Sequence, residues 1–114
     1  MSVERTHIDY LADILDAIGK VMRFIEGMTL EEFTQDDKTV FAVVRGLEII
    51  GEATKQIPSS VRDQHTEIPW REMAGMRDKL THGYFGVNLA VVWKTATEDL
   101  PTLEPAIRRL LSEN

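Results

Sequence analysis

Residues 8–25 read Ile-Asp-Tyr-Leu-Ala-Asp-Ile-Leu-Asp-Ala-Ile-Gly-Lys-Val-Met-Arg-Phe-Ile, and their spacing decides the fold class. Ile8, Leu11, Leu15, Ile18, Met22 and Ile25 recur at alternating steps of three and four, which is the seam of a helix and not the alternation of a strand. A second stripe, Tyr10, Ile14, Ala17, Val21 and Phe24, runs beside it. At about 100° per residue the two stripes span about 200° of the helix. Asp9, Asp13, Asp16, Lys20 and Arg23 fill the remaining polar face. An arc that wide predicts burial on two sides, in a bundle and against a second copy of the chain.

The same period continues down the chain. Gly27 ends the first helix, and Thr29-Leu30-Glu31-Glu32 has the form of a capping box opening a short turn. A second long helix is expected from about Lys38 to Gln56, with Val40, Val43, Val44, Leu47, Ile50 and Ala53 inward. Gly46 and Gly51 inside it cost about 1 kcal/mol each relative to Ala, which points to close helix–helix approach. Pro58 stops it. Residues 58–69 form a loose stretch with one helical turn over Ser60–Gln64. Pro69 suits the first position of a third helix through Trp70, Met73, Met76 and Leu80, broken by Gly83 and Gly86. Asn88 caps a fourth helix ending near Leu100, and Pro101 or Thr102 starts a last one. The expectation is one all-α domain over residues 1–114, an up-and-down bundle of four main helices plus short pieces.

Composition removes several function classes. With 114 residues there is room for one domain. No apolar run is long enough to span a membrane. The start, Met1-Ser2-Val3-Glu4-Arg5, leads into charges, so no secretory signal is expected and the cytoplasm is the default setting. No cysteine is present, which excludes disulfides, cysteine-zinc sites, iron–sulfur clusters and thiol nucleophiles. Glu4-x-x-His7 has the spacing of half a di-iron site, but no second copy of the pattern exists, so neither a metal nor a cofactor is expected. His65 lies in the loose stretch and reads as a surface residue.

The net charge of −6 argues against sequence-blind coating of long nucleic acid. Nearly all of that excess lies in residues 1–60, so a compact phosphate site belongs in the second half.

That half holds the densest cluster of chemistry, Met76-Arg77-Asp78-Lys79-Leu80-Thr81-His82-Gly83-Tyr84-Phe85. A guanidinium, an ammonium, an imidazole and a phenol stand within eight residues. Arg77 can hold a phosphate and stabilise the extra charge of a pentacovalent transition state. His82, with an ordinary pKa of about 6.5, can exchange a proton at neutral pH. The plain alternative is that Lys79 and His82 stabilise a helix C-terminus while Tyr84 and Phe85 fill core. Positions 77 and 82 lie about 140° apart on an ideal helix. One copy aims both at one phosphate only if the helix loosens near Thr81; otherwise two copies pool them across a symmetric interface.

Arg77-x-x-x-x-His82-x-Tyr84 resembles the R-x4-H-x-Y signature of HepT-like proteins, the HEPN-superfamily toxins of HepT/MntA (HEPN/MNT) toxin–antitoxin systems. Arg45-Gly46-Leu47-Glu48-Ile49-Ile50-Gly51-Glu52-Ala53 is similar to the family's R-x-L-E-I-I-G-E-A stretch. Ile68–Met76, Val87–Trp93 and Glu98–Pro101 add further matches, so the resemblance covers nearly the whole chain. Position 78, often Asn in the family, is Asp here and adds a negative charge beside Arg77. The resemblance implies a HEPN-like homodimer acting as a metal-independent endoribonuclease toxin of a type VII-like system, on RNA such as tRNA or mRNA. It also implies an MntA-like nucleotidyltransferase antitoxin that silences the toxin by AMPylation. Arg77 and His82 would be catalytic and Tyr84 the modified position. Asp78 and Lys79 would support them, as would an ion-pair network of Arg45, Glu48 and Glu52. The other class of function compatible with these residues is a non-catalytic HEPN module that binds a nucleotide or a protein.

Overall fold

The computed structural model describes residues 5–76, 78 and 88–113, and every described element is helical. In chain order these are α1 (His7–Phe24), α2 (Leu30–Thr34), α3 (Asp37–Lys55), α4 (Ser59–Gln64), α5 (Trp70–Ala74), α6 (Leu89–Lys94), a π-helical turn (Thr95–Asp99) and α7 (Leu100–Ser112). The chain is an all-α bundle.

Local chemistry sets the helix starts. The Thr6 hydroxyl accepts from the Asp9 N–H while the Thr6 N–H donates to the Asp9 carboxylate at 3.0 Å, a reciprocal cap for α1. The expected box at Thr29 and Glu32 forms likewise, with bonds of 2.9 and 3.1 Å. Asn88 Oδ1 accepts from the N–H groups of Ala90 and Val91 and opens α6. Gly27 follows α1 with φ +77°, a conformation that favours glycine.

α1 lies between α3 and α7. Leu11, Ile14, Ile18 and Val21 are buried in that sandwich with Val43, Leu47 and Ile50 of α3 and Leu103, Ile107 and Leu110 of α7. Most of the wide apolar arc of α1 is therefore consumed within the chain, which leaves Ile8 and Phe24 near its two ends exposed. Phe24 is 46% exposed, and Phe41 of α3, which belongs to neither stripe of α1, is 80% exposed.

Two boundaries differ from the sequence reading. α5 ends at Ala74 and a turn at Gly75 interrupts the expected third helix, which is helical again at Met76 and Asp78. The fourth and fifth helices do not separate at Pro101. They join through the π-turn, where the Leu100 N–H donates to the Thr95 carbonyl. Proline offers no N–H and its ring crowds the carbonyl four residues back. A widened turn just ahead of Pro101 relieves that crowding and lets the helix continue, with Pro105 also inside it. The Thr102 hydroxyl donates to the Glu98 carbonyl at 3.2 Å, giving that carbonyl a side-chain partner.

Candidate functional site

Two buried anchors flank the Arg77–Tyr84 segment. On the entry side, Trp70 and Met73 of α5 and then Met76 are buried, and α5 packs on α3. The Trp70 indole N–H donates to the His65 carbonyl at 2.9 Å, which fastens the α4–α5 loop. His65 is accordingly half-buried, with its Nδ1 3.7 Å from the Glu67 carboxylate, and is not the free surface residue expected. On the exit side, Asn88 opens α6, which packs on α2 and α3. Met76, Val91, Val92 and Leu47 line one small void of about 30 Å³. Met76 from the entry side and Val91 and Val92 from the exit side therefore come together beside Leu47 of α3. Arg77, Lys79, His82 and Tyr84 themselves lie outside the described residues, as does the expected helix stop at Gly83 and Gly86. Asp78 is helical and exposed.

α3 carries the charged cluster foreseen from its spacing. Arg45 Nη1 lies 3.5 Å from the Glu48 carboxylate and 3.7 Å from that of Glu52, so one guanidinium links both acids along the outer stripe. These distances are long for bidentate pairing, and the groups are largely solvated, so the stabilisation is small, about 0–1 kcal/mol. The cluster's chemical significance is positional: a cation held between two carboxylates on the helix that also seats Met76.

Beside it runs a groove between α1 and α3, about 490 Å³ in volume, with Val21, Phe24, Ala42 and Ile49 as its apolar lining. Asp13, Asp16 and Lys20 lie on its α1 side, with Lys20 paired to Asp16 at 2.9 Å, and Arg45 on its α3 side. A separate cleft of about 540 Å³ opens between α5 and α7. No group of three or more His, Asp or Glu suited to a metal occurs among the described residues. Among them, too, no helix is long and apolar enough to cross a membrane.

Sequence reasoning missed the exposure of Phe41 and the charged rim of the α5–α7 cleft. Phe41 carried a signal, since it falls on the polar stripe of α3 with Arg45, Glu48 and Glu52. The cleft carried none, because Glu72 and Asp99 stand 27 positions apart.

The described elements make this a protein of the all-α, HEPN-like bundle class. The ribonuclease HepT-like family model matches residues 14–110, and the chain belongs to that family. It is 53% identical over 108 residues to the probable ribonuclease HepT of Thermococcus cleftensis, covering 95% of this chain and 98% of that protein. A candidate RNase of Caldanaerobacter subterraneus subsp. tengcongensis is 41% identical, over 96% of this chain and 97% of its own length. One from Methanocaldococcus jannaschii is also 41% identical, over 91% of this chain and 86% of its own. No solved structure matches the chain.

Proposed function

We propose that this chain, one domain throughout, is a metal-independent endoribonuclease and the toxin of a toxin–antitoxin pair acting in the cytoplasm. The observation that carries the reading is the Arg77-x4-His82-x-Tyr84 motif lying inside the family-matched span. His82 takes the proton of the ribose 2′-hydroxyl; the 2′-oxygen attacks the adjacent phosphorus. Arg77 stabilises the phosphorane, assisted by Asp78 and Lys79. The bond to the 5′-oxygen breaks, and that oxygen regains a proton. The products are a 2′,3′-cyclic phosphate and a 5′-hydroxyl. Arg45, Glu48 and Glu52 support the segment from α3.

General acid–base help is worth roughly 10²–10⁴-fold, so His82→Ala loses cleavage by about that factor while keeping the fold. The experiment is incubation of the purified protein with total tRNA in EDTA. Defined fragments from the wild type, absent with His82→Ala, support the enzyme. A strict need for a divalent metal overturns the mechanism, and retention of RNA without cleavage favours a binding module.

A nucleotidyltransferase antitoxin is the proposed partner, adding AMP to the Tyr84 hydroxyl. The added phosphodiester charge and adenosine would compete with RNA for Arg77. Mass spectrometry after incubation with such an enzyme, ATP and Mg²⁺ tests it: AMP found only elsewhere on the chain, or none, rejects the assignment. The active form is a homodimer, and exposed Phe24 and Phe41 on the α1–α3 face support that state.

A further inference from the structure

The α5–α7 cleft has an apolar floor of Met73, Met76, Leu103 and Ala106, the first three buried. Its volume of about 540 Å³ lies within the range of about 300–1,000 Å³ typical of ligand-holding clefts. Among the described residues, Glu67, Glu72 and Asp99 stand around it against one cation, Arg109. Glu67 faces His65, whereas Glu72 and Asp99 form no ion pair among the described residues. Glu72 and Asp99 come from different elements, α5 and the π-turn, and both also line the small void beneath Met76. Both carboxylates are exposed, and the described lining of the cleft holds three acids against one arginine, an acidic balance over an apolar floor. The arrangement is complementary to a cation carried on an apolar body.

We propose that this cleft docks a partner-protein helix that presents Lys or Arg beside Leu-like side chains. Carboxylates at the rim repel RNA phosphates, so the cleft is no extension of a substrate path. The carboxylates also do not form a metal-binding group with any third His, Asp or Glu among the described residues. An amphipathic basic segment satisfies both features at once: its cation meets Glu72 and Asp99, and its apolar face meets methionines, which adapt to irregular surfaces. Because Met76 directly precedes Arg77, an occupant presses on the residue that leads into the motif. The regulatory consequence rests on the ribonuclease reading above; the docking itself does not.

The test uses a synthetic 14-residue helical peptide of Leu and Lys, with a Leu/Glu peptide of the same pattern as control. Methyl-labelled methionine NMR supplies the readout. The Leu/Lys peptide shifts the methyls of Met73 and Met76 and leaves Met22 and Met28 in place; the Leu/Glu peptide shifts none. Glu72→Gln with Asp99→Asn weakens binding about tenfold or more, while Glu26→Gln with Asp63→Asn, an equal charge change elsewhere, does not. Shifts centred on Met22 and Met28, or equal weakening by both double variants, overturn the proposal. RNA cleavage measured in parallel separates the two claims, since methyl shifts persist even if the chain cleaves nothing.

Discussion

Gly46 of α3 sits directly against Val21 of α1: a Cβ added at Gly46 would stand 2.4 Å from Val21 Cγ2. The helices approach that closely because position 46 has no side chain. Ala is about 1 kcal/mol better than Gly in a helix interior, so propensity alone predicts that Gly46→Ala stabilises. The clash opposes this. Val21 is buried and β-branched, with little rotamer freedom in a helix, and overpacking costs typically about 1–3 kcal/mol. Gly46→Ala is expected to lower the urea midpoint, and Val21→Ala in the same chain to restore part of the loss. A gain in stability from the single change would show that α1 and α3 separate easily.

Arg62 closes the far end of the same helix. Its Nη2 donates to the Thr54 carbonyl at 2.6 Å and its Nε to the Ile57 carbonyl at 3.0 Å. The Thr54 carbonyl also accepts from the Ile57 N–H at 3.1 Å, so Arg62 adds a second bond there, whereas the Ile57 carbonyl relies on Arg62; a buried acceptor left unpaired costs about 1–3 kcal/mol. Arg62→Ala should therefore destabilise by about that amount in chemical denaturation. Arg62→Lys, which cannot span both carbonyls with a planar fork, should recover only part. Full recovery by Lys would mean that charge near the α3 terminus, not the paired hydrogen bonds, is what stabilises it.

Asp36 caps the other end of α3. Hydrogen bonds from the Thr39 N–H at 3.1 Å and the Thr39 hydroxyl at 2.8 Å hold its carboxyl below the ordinary aspartate value. A depressed folded-state pKa means that the unfolded chain takes up the proton first as pH falls. The stabilisation is complete above the ordinary aspartate value of about 3.9 and is lost as pH drops through the lower folded value. The melting-temperature gap between wild type and Asp36→Ala should therefore be constant from pH 7 to 5 and narrow towards pH 2. A gap that stays level over the whole range would assign the cap to geometry alone.

These three sites mark where sequence reading reaches and where it stops. α1 and α3 were legible to within a residue or two because heptad spacing, Gly27 and Pro58 are local signals. The caps at Thr29 and Asn88 were legible for the same reason. The π-turn was not, since Pro101 reads as a helix start and only the packed backbone continues α6 into α7. The α1 arc revealed that both its sides are covered, but periodicity cannot say by what; the covers are α3 and α7. Among the site residues, Arg45, Glu48 and Glu52 could be joined from their i, i+3, i+7 spacing on one helix. Glu72 and Asp99 could not, because the fold alone brings α5 beside the π-turn.

Phe41 carries the last prediction. An aromatic side chain 80% exposed, next in sequence to Ala42 of the apolar groove that Phe24 also lines, is a marked departure from an ordinary helix surface. The groove has an apolar lining of Val21, Phe24, Ala42 and Ile49, and the acids on its α1 side are paired within the chain, Asp16 with Lys20 and Asp13 with Arg5. A two-fold contact can bury each Phe41 and this apolar lining against the other copy. Truncating an aromatic anchor at such an interface costs about 2–4 kcal/mol, on the order of 30- to 1,000-fold in dissociation constant. Sedimentation of the wild type should therefore give twice the chain mass of 13.0 kDa, and Phe41→Lys should shift it towards the single chain at micromolar concentration. Phe41 does not contribute to the core, so the variant's melting temperature should stay near that of the wild type's free monomer. A wild type that sediments at 13.0 kDa would falsify the dimer, and a dimer indifferent to Phe41→Lys would move the interface to another face.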